Sequence, residues 1–144
     1  MSNATITDAA NVTKEQIDAV VDRLLNEGAT LKEVKGISER ELEAVYTVAH
    51  GLLKNRRFDQ AEPLFRFLCL NDHLCHKFWL ALGVCLKEQQ QHEEAVNILG
   101  LAGLLDVEDP RAAFEAAECH IHLGNREESH AALSAAVSLS LIHI

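Results

Sequence analysis

The sequence predicts an all-α solenoid of three helix pairs behind an N-terminal helical extension. RFDQAEPLF (57–65), QHEEAVNIL (91–99) and NREESHAAL (125–133) align without gaps at a constant period of 34, as expected of stacked supersecondary units. Capping patterns recur ahead of helically spaced apolar residues, and no alternating run of Val, Ile and Thr supports strands. The two prolines and seven glycines are too few to punctuate the many turns of an all-β fold.

A chain of 144 residues holds one domain with a continuous core. Its formal charge of -9 and the lack of any Lys/Arg cluster argue against nucleic acid or an anionic membrane surface as the main partner. The N-terminus MSNATITDAANVTKEQ lacks a basic and then apolar leader, no apolar stretch approaches a bilayer span, and four cysteines (Cys69, Cys75, Cys85, Cys119) without a secretory frame point to a reduced cytoplasmic compartment.

Residues 1–12 read as a flexible terminus and 13–38 as a helical region. Thr13 with Gln16 forms a capping pattern, after which Ile17, Val20, Val21, Leu24 and Leu25 recur at helical spacing up to Gly28. That stripe must pack, either on the first repeat or on a second chain. Thr30 with Glu33 opens a short helical turn ended by Gly36, and Ser38 with Glu41 opens a longer helix.

The repeats then occupy 39–144, as units of about 42–75, 76–109 and 110–143. Their first helices align as ELEAVYTVAHGLLK (41–54), CHKFWLALGVCLKE (75–88) and DPRAAFEAAECHIH (109–122). Trp79, Leu82 and Gly83 share a register with Val45, Val48 and Ala49 one period earlier and with Ala113, Ala116 and Ala117 one period later. Ala61, Ala95 and Ser129 mark the second helices. Small residues let the paired helices approach, while Phe65, Leu99 and Leu133 are expected to fill the space between successive pairs and Trp79 to lie in the core.

A helix-turn-helix of this period with Trp79, Leu82, Gly83, Ala95 and Ala102 in register, and Pro110 near a repeat boundary, resembles the tetratricopeptide repeat. NEGATLKEVKGIS (26–38), AEPLFRFLCLNDH (61–73) and DPRAAFEAAECHIHLGN (109–125), in that order, are similar to the class II chaperones of bacterial type III secretion, the SycD/LcrH-type family. GATLKEVKGIS and FRFLC look nearest to its invasion-associated branch. The resemblance implies a cytoplasmic, non-enzymatic chaperone without cofactor or metal. Its clients would be the hydrophobic translocator proteins of the secretion pore, held soluble until export by cradling an extended Pro-x-Leu-x-x-Pro-type segment in the concave face. It also implies homodimers through the N-terminal region, which assigns Ile17, Val20, Val21 and Leu24 to the interface. The alternative is a repeat adaptor or co-regulator that binds a transcription factor or another protein.

In such solenoids the first helix of each pair lines the inner surface. Register therefore places Tyr46, His50 and Leu53 in the groove from the first unit, Lys77, Leu80 and Val84 from the second, and Arg111, Phe114, Glu118 and Ile121 from the third. The apolar members offer shallow pockets for client Leu and Pro side chains; the charged members and His50 can hydrogen-bond an extended backbone. Burying three client side chains contributes about 5–8 kcal/mol before association costs. The same residues also admit plainer readings, with Tyr46, Leu80 and Phe114 as inter-helix core and Lys77 and Arg111 as solvated charges.

The sequence supports neither a zinc site nor a cysteine nucleophile. Cys69, His73, Cys75 and His76 are zinc-type ligands close in sequence, but they straddle the end of a helix and lack paired CxxC knuckles. Cys119 with His120 or His122 lacks the geometry of a nucleophile and its base, since adjacent helical residues point about 100° apart. The final SLSLIHI follows the third pair closely, whereas family members continue with another helix, so the face of Ala132, Leu133, Ala136 and Val137 is expected to lack a cap and the third unit to be the least stable.

Overall fold

A computed structural model describes residues 37–142. They form six helices: α1 (Glu39–Lys54), α2 (Phe58–Asn71), α3 (His76–Glu88), α4 (His92–Leu105), α5 (Arg111–Leu123) and α6 (Arg126–Ile142). The stripe Ile17, Val20, Val21 and Leu24, like most of the expected region 13–38, lies outside the described residues. Two compact units result, one ending at His73 and one beginning at Leu74.

In the first unit, α1 and α2 form an antiparallel pair. Ser38 starts α1 through a complete capping box: its Oγ accepts from the Glu41 N–H at 3.2 Å, and its own N–H donates to Glu41 Oε1 at 3.0 Å. The buried residues Leu42, Val45 and Ala49 recur at helical spacing along α1, and Ala61, Leu64, Phe65 and Leu68 do so along α2. Ala49 and Ala61 carry no exposed surface, so the small residues of the repeat register lie where nothing larger fits.

The second unit holds α3 to α6, with each helix packed on the next in sequence and α3 also touching α5. Gly83 brings α3 against α4: a Cβ there would stand 2.6 Å from Leu99 Cγ, so no other residue fits without displacing that side chain. Leu99 is thus seated on the first helix of its own pair. Its period mate Leu133 is only half-buried, because no following pair covers it among the described residues. Trp79 is likewise half-buried rather than core, while its neighbours Phe78 and Leu82 are sealed.

All three pairs turn in the same way. Arg56, Gln90 and Gly124 occupy the left-handed region at φ 61, 64 and 77°, and successive positions differ by one repeat period. Behind each, an N–H reaches back five residues: Arg57 to the Leu52 carbonyl at 2.8 Å, Gln91 to Leu86 at 2.9 Å and Asn125 to His120 at 2.9 Å. This is the Schellman closure, which satisfies carbonyls that the helix end leaves open. Two of the three left-handed positions carry a side chain and hence a steric cost. Gln90→Gly is therefore expected to stabilise the protein by about 0.5–1 kcal/mol, whereas Gln90→Ala, which keeps the Cβ, leaves the thermal midpoint unchanged; calorimetry on both variants checks this.

Candidate functional site

The inner-register positions recur once per period as Tyr46/Leu80/Phe114, His50/Val84/Glu118 and Leu53/Lys87/Ile121. On α1, Tyr46, His50 and Leu53 share one half-buried face. The Tyr46 ring stacks on His50 with centroids 5.6 Å apart and meets the buried Phe65 edge-on at 6.1 Å, contacts that fix its orientation.

In the second unit, exposure separates residues of one register. Leu80 is 8% exposed and offers almost no surface, whereas Phe114 is 49% and Ile121 59% exposed. Val84 and Lys77 are half-buried, and the Lys77 ammonium lies 5.9 Å from the centre of the Phe78 ring. Arg111 binds Asp109, with Nη2 2.6 Å from Oδ2, and Glu118 accepts from Lys87 at 3.0 Å. The protein itself thus already engages two of the charged positions that the register offers to a client.

Lys87 escapes the register reading although it stands one period from both Leu53 and Ile121; the period alone would have found it. Its Nζ pairs with the carboxylates of Glu115 and Glu118 on α5 and has Glu88 Oε1 at 3.6 Å. Burial works against the charge, but hydrogen bonds and attraction from both glutamates prevail and hold the ammonium well above the usual lysine range. The buried Cys119 thiol nearby is pushed up to about 11, chiefly by burial, so the thiolate is scarce at neutral pH.

Two histidine contacts were equally invisible locally. His76 at the start of α3 has Nδ1 2.8 Å from the Ala102 carbonyl and Nε2 2.9 Å from Asp109 Oδ2. Both partners are acceptors, one at each ring nitrogen. Hydrogen bonds from Arg111 hold the Asp109 carboxyl well below the usual range against the opposing effect of burial, and His76 adds to this. His76, Asp106 and Asp109 could gather around an ion, but Arg111 already supplies positive charge there, and the histidine does not turn toward a thiolate. His92 on α4 stacks on His122 of α5, with centroids 4.5 Å apart and planes 3° from parallel. Its Nδ1 is buried without a hydrogen-bond partner. His122 is therefore engaged by another ring rather than by Cys119.

The fold and the inner register define a tetratricopeptide-repeat protein, and a tetratricopeptide repeat family model matches residues 46–106. The low calcium response locus protein H of Yersinia pestis is 28% identical over 125 residues, 87% of this chain and 74% of the relative. Chaperone protein SicA of Salmonella typhimurium is 30% identical over 111 residues, 77% of this chain and 67% of its own. Pseudomonas aeruginosa PcrH, solved in complex with the chaperone binding region of PopD, superposes with a TM-score of 0.75 at 30% identity, over 76% of this chain and 82% of that one. Yersinia enterocolitica SycD, solved with a peptide of the translocator YopD, gives 0.70 at 30% identity, over 73% and 80%. The chain belongs to this family of SycD/LcrH/SicA-type type III secretion chaperones. Among the described residues, no helix is long and apolar enough to cross a membrane.

Two outcomes follow from the polar contacts. Lys87→Met leaves two partly exposed carboxylates facing each other and is expected to cost about 1–2 kcal/mol in chemical denaturation, with Lys87→Arg costing less. Burial first, then the neighbouring His122 and Lys87, lowers the pKa of His92, so the unfolded chain takes up the proton more readily than the folded one. The stability contribution of His92 is present above its unfolded pKa of about 6.5 and is lost as the pH falls below it. The thermal midpoint should therefore drop between pH 7 and pH 5.5, and His92→Gln should flatten that drop.

Proposed function

We propose that this chain is a cytoplasmic chaperone of a bacterial type III secretion system that binds hydrophobic translocator proteins and keeps them competent for export. The observation that carries the reading is the pairing of family membership with an inner register whose uncommitted positions are apolar or aromatic. PcrH and SycD have been solved with segments of PopD and YopD, and the same kind of client is assigned to this chain. On α3 and α5 an extended Pro-x-Leu-x-x-Pro-type segment meets Val84, Phe114 and Ile121, with Lys77 beside them; Leu80 lies beneath as support, and Arg111 and Glu118 reach the segment only by sharing their present partners. On α1 the corresponding positions are Tyr46, His50 and Leu53.

Co-expression with a translocator should keep that client soluble and allow the two to co-purify. Titration of a labelled peptide of the Pro-x-Leu-x-x-Pro type should show Phe114→Ala and Tyr46→Ala each weakening binding by about tenfold, the effect of removing an accessible aromatic anchor. Leu80→Ala should act on thermal stability instead. Unchanged affinity in both aromatic variants would refute the residue assignment, and a client left insoluble by co-expression would refute the function.

A further inference from the structure

On α5 the two exposed apolar positions of the inner register are separated by a carboxylate. Phe114, Glu118 and Ile121 stand at i, i+4 and i+7 and so share one face of the helix. A segment that meets both Phe114 and Ile121 therefore runs alongside α5 and passes over Glu118, whose side chain is 39% exposed. Docking strips water from that carboxylate, and a carboxylate removed from water is costly unless it is paired.

Its present pairing is incomplete. Lys87 supplies one ammonium to three carboxylates, those of Glu88, Glu115 and Glu118, and is itself only 11% exposed. Among the described residues Glu118 is engaged through Oε2 alone, by the Lys87 Nζ at 3.0 Å, which leaves Oε1 able to accept from a ligand. Negative charge is thus in excess at this point of the face. The start of α5 differs, because there the Arg111 guanidinium is matched by the Asp109 carboxylate, with Nη2 2.6 Å from Oδ2.

We infer that the client segment carries a lysine or arginine between the two side chains that dock on Phe114 and Ile121, and that Glu118 selects it. The inference rests on the proposed function and adds a charge requirement to it. Geometry gives the position. At the helical rise of about 1.5 Å per residue, Phe114 and Ile121 are separated by about 10 Å along α5, a distance that an extended chain covers in about three residues. In a Pro-x-Leu-x-x-Pro segment that is the step from Leu to the second Pro. Glu118 lies about 6 Å beyond Phe114 and so faces one of the two residues between them. A backbone N–H at that place offers a hydrogen bond without charge; a basic side chain offers both. An acidic residue there meets the excess negative charge and is rejected.

Fluorescence titration of labelled Pro-x-Leu-x-x-Pro peptides tests this, with Lys, Ala or Glu placed in turn at each residue between Leu and the second Pro. At one of these positions the Lys peptide should bind the wild-type chain about tenfold tighter than the Ala peptide and about 100-fold tighter than the Glu peptide, the scale of a charge-assisted hydrogen bond. The gap should narrow as salt rises from ~0.05 to ~0.5 M. Glu118→Gln should reduce the Lys-over-Ala ratio to about twofold or less. Lys87→Met, which releases Glu118 from its internal partner, should widen that ratio by about threefold or more. A merely structural role for the pair would not move the two variants in opposite directions. Equal affinity of the Lys, Ala and Glu peptides for the wild-type chain, or a Lys preference that survives Glu118→Gln, would overturn the inference and leave the proposed function in place. Failure of every peptide to bind, together with a translocator left insoluble by co-expression, would overturn both.

Discussion

The closure at the end of each first helix governs the rest of the structure. A left-handed residue at 56, 90 or 124 and an N–H reaching back five residues reverse the chain within a few positions. The second helix is then laid against the first in one register, with Leu99 over Gly83 in the middle pair. Because the turn recurs once per period, residues one period apart hold equivalent places in their own pairs. The backbone fixes the positions of Tyr46, Leu80 and Phe114, and their side chains decide what each position does. Side-chain capping contributes little beyond Ser38, since the N-caps of α2, α3, α4 and α5 make no side-chain hydrogen bond.

Within the second unit, polar contacts set how one pair follows the next. His76, at the start of α3, ties that helix to the Ala102 carbonyl and to Asp109 in the loop that leads into α5. Lys87, at the other end of α3, reaches across to Glu115 and Glu118 on α5. Between them, the His92–His122 stack joins the start of α4 to the end of α5. These contacts hold α5 at both ends. Apolar packing is non-directional and would tolerate sliding; charge-assisted hydrogen bonds are directional and would not.

The fold was legible because its determinants are local and periodic. Ser38 and Glu41 are three residues apart, and the repeat can be counted directly. The site was legible as a register but not as a surface. Leu80 and Phe114 share a register, yet one is sealed and the other open, because exposure depends on which pair comes next. Lys87 resembled an ordinary basic residue near a helix C-terminus, and its partners Glu115 and Glu118 belong to a helix two elements further along the chain. His76 stood beside Cys75 and so resembled a zinc ligand, whereas the groups it meets, Ala102 and Asp109, lie beyond the whole of α3 and most or all of α4. Trp79 shares a register with the buried Val45, but its larger ring is not wholly enclosed.

Under the proposed function, the self-pairing of charges favours a particular kind of client. A face crowded with free lysines and glutamates would bind many extended chains by backbone hydrogen bonding. Here Arg111 is held by Asp109, and Glu118 by Lys87. What remains uncommitted on α5 is Phe114 and Ile121, both apolar and well exposed. A segment that docks there loses hydration from its backbone and receives few hydrogen bonds in return, a penalty for most sequences. Proline lacks the N–H donor and is already extended, so a proline-bearing segment leaves fewer groups unsatisfied and loses less entropy on binding. Discrimination then rests on the partners the face withholds as much as on the contacts it offers, and the internal ion pairs serve recognition as well as stability.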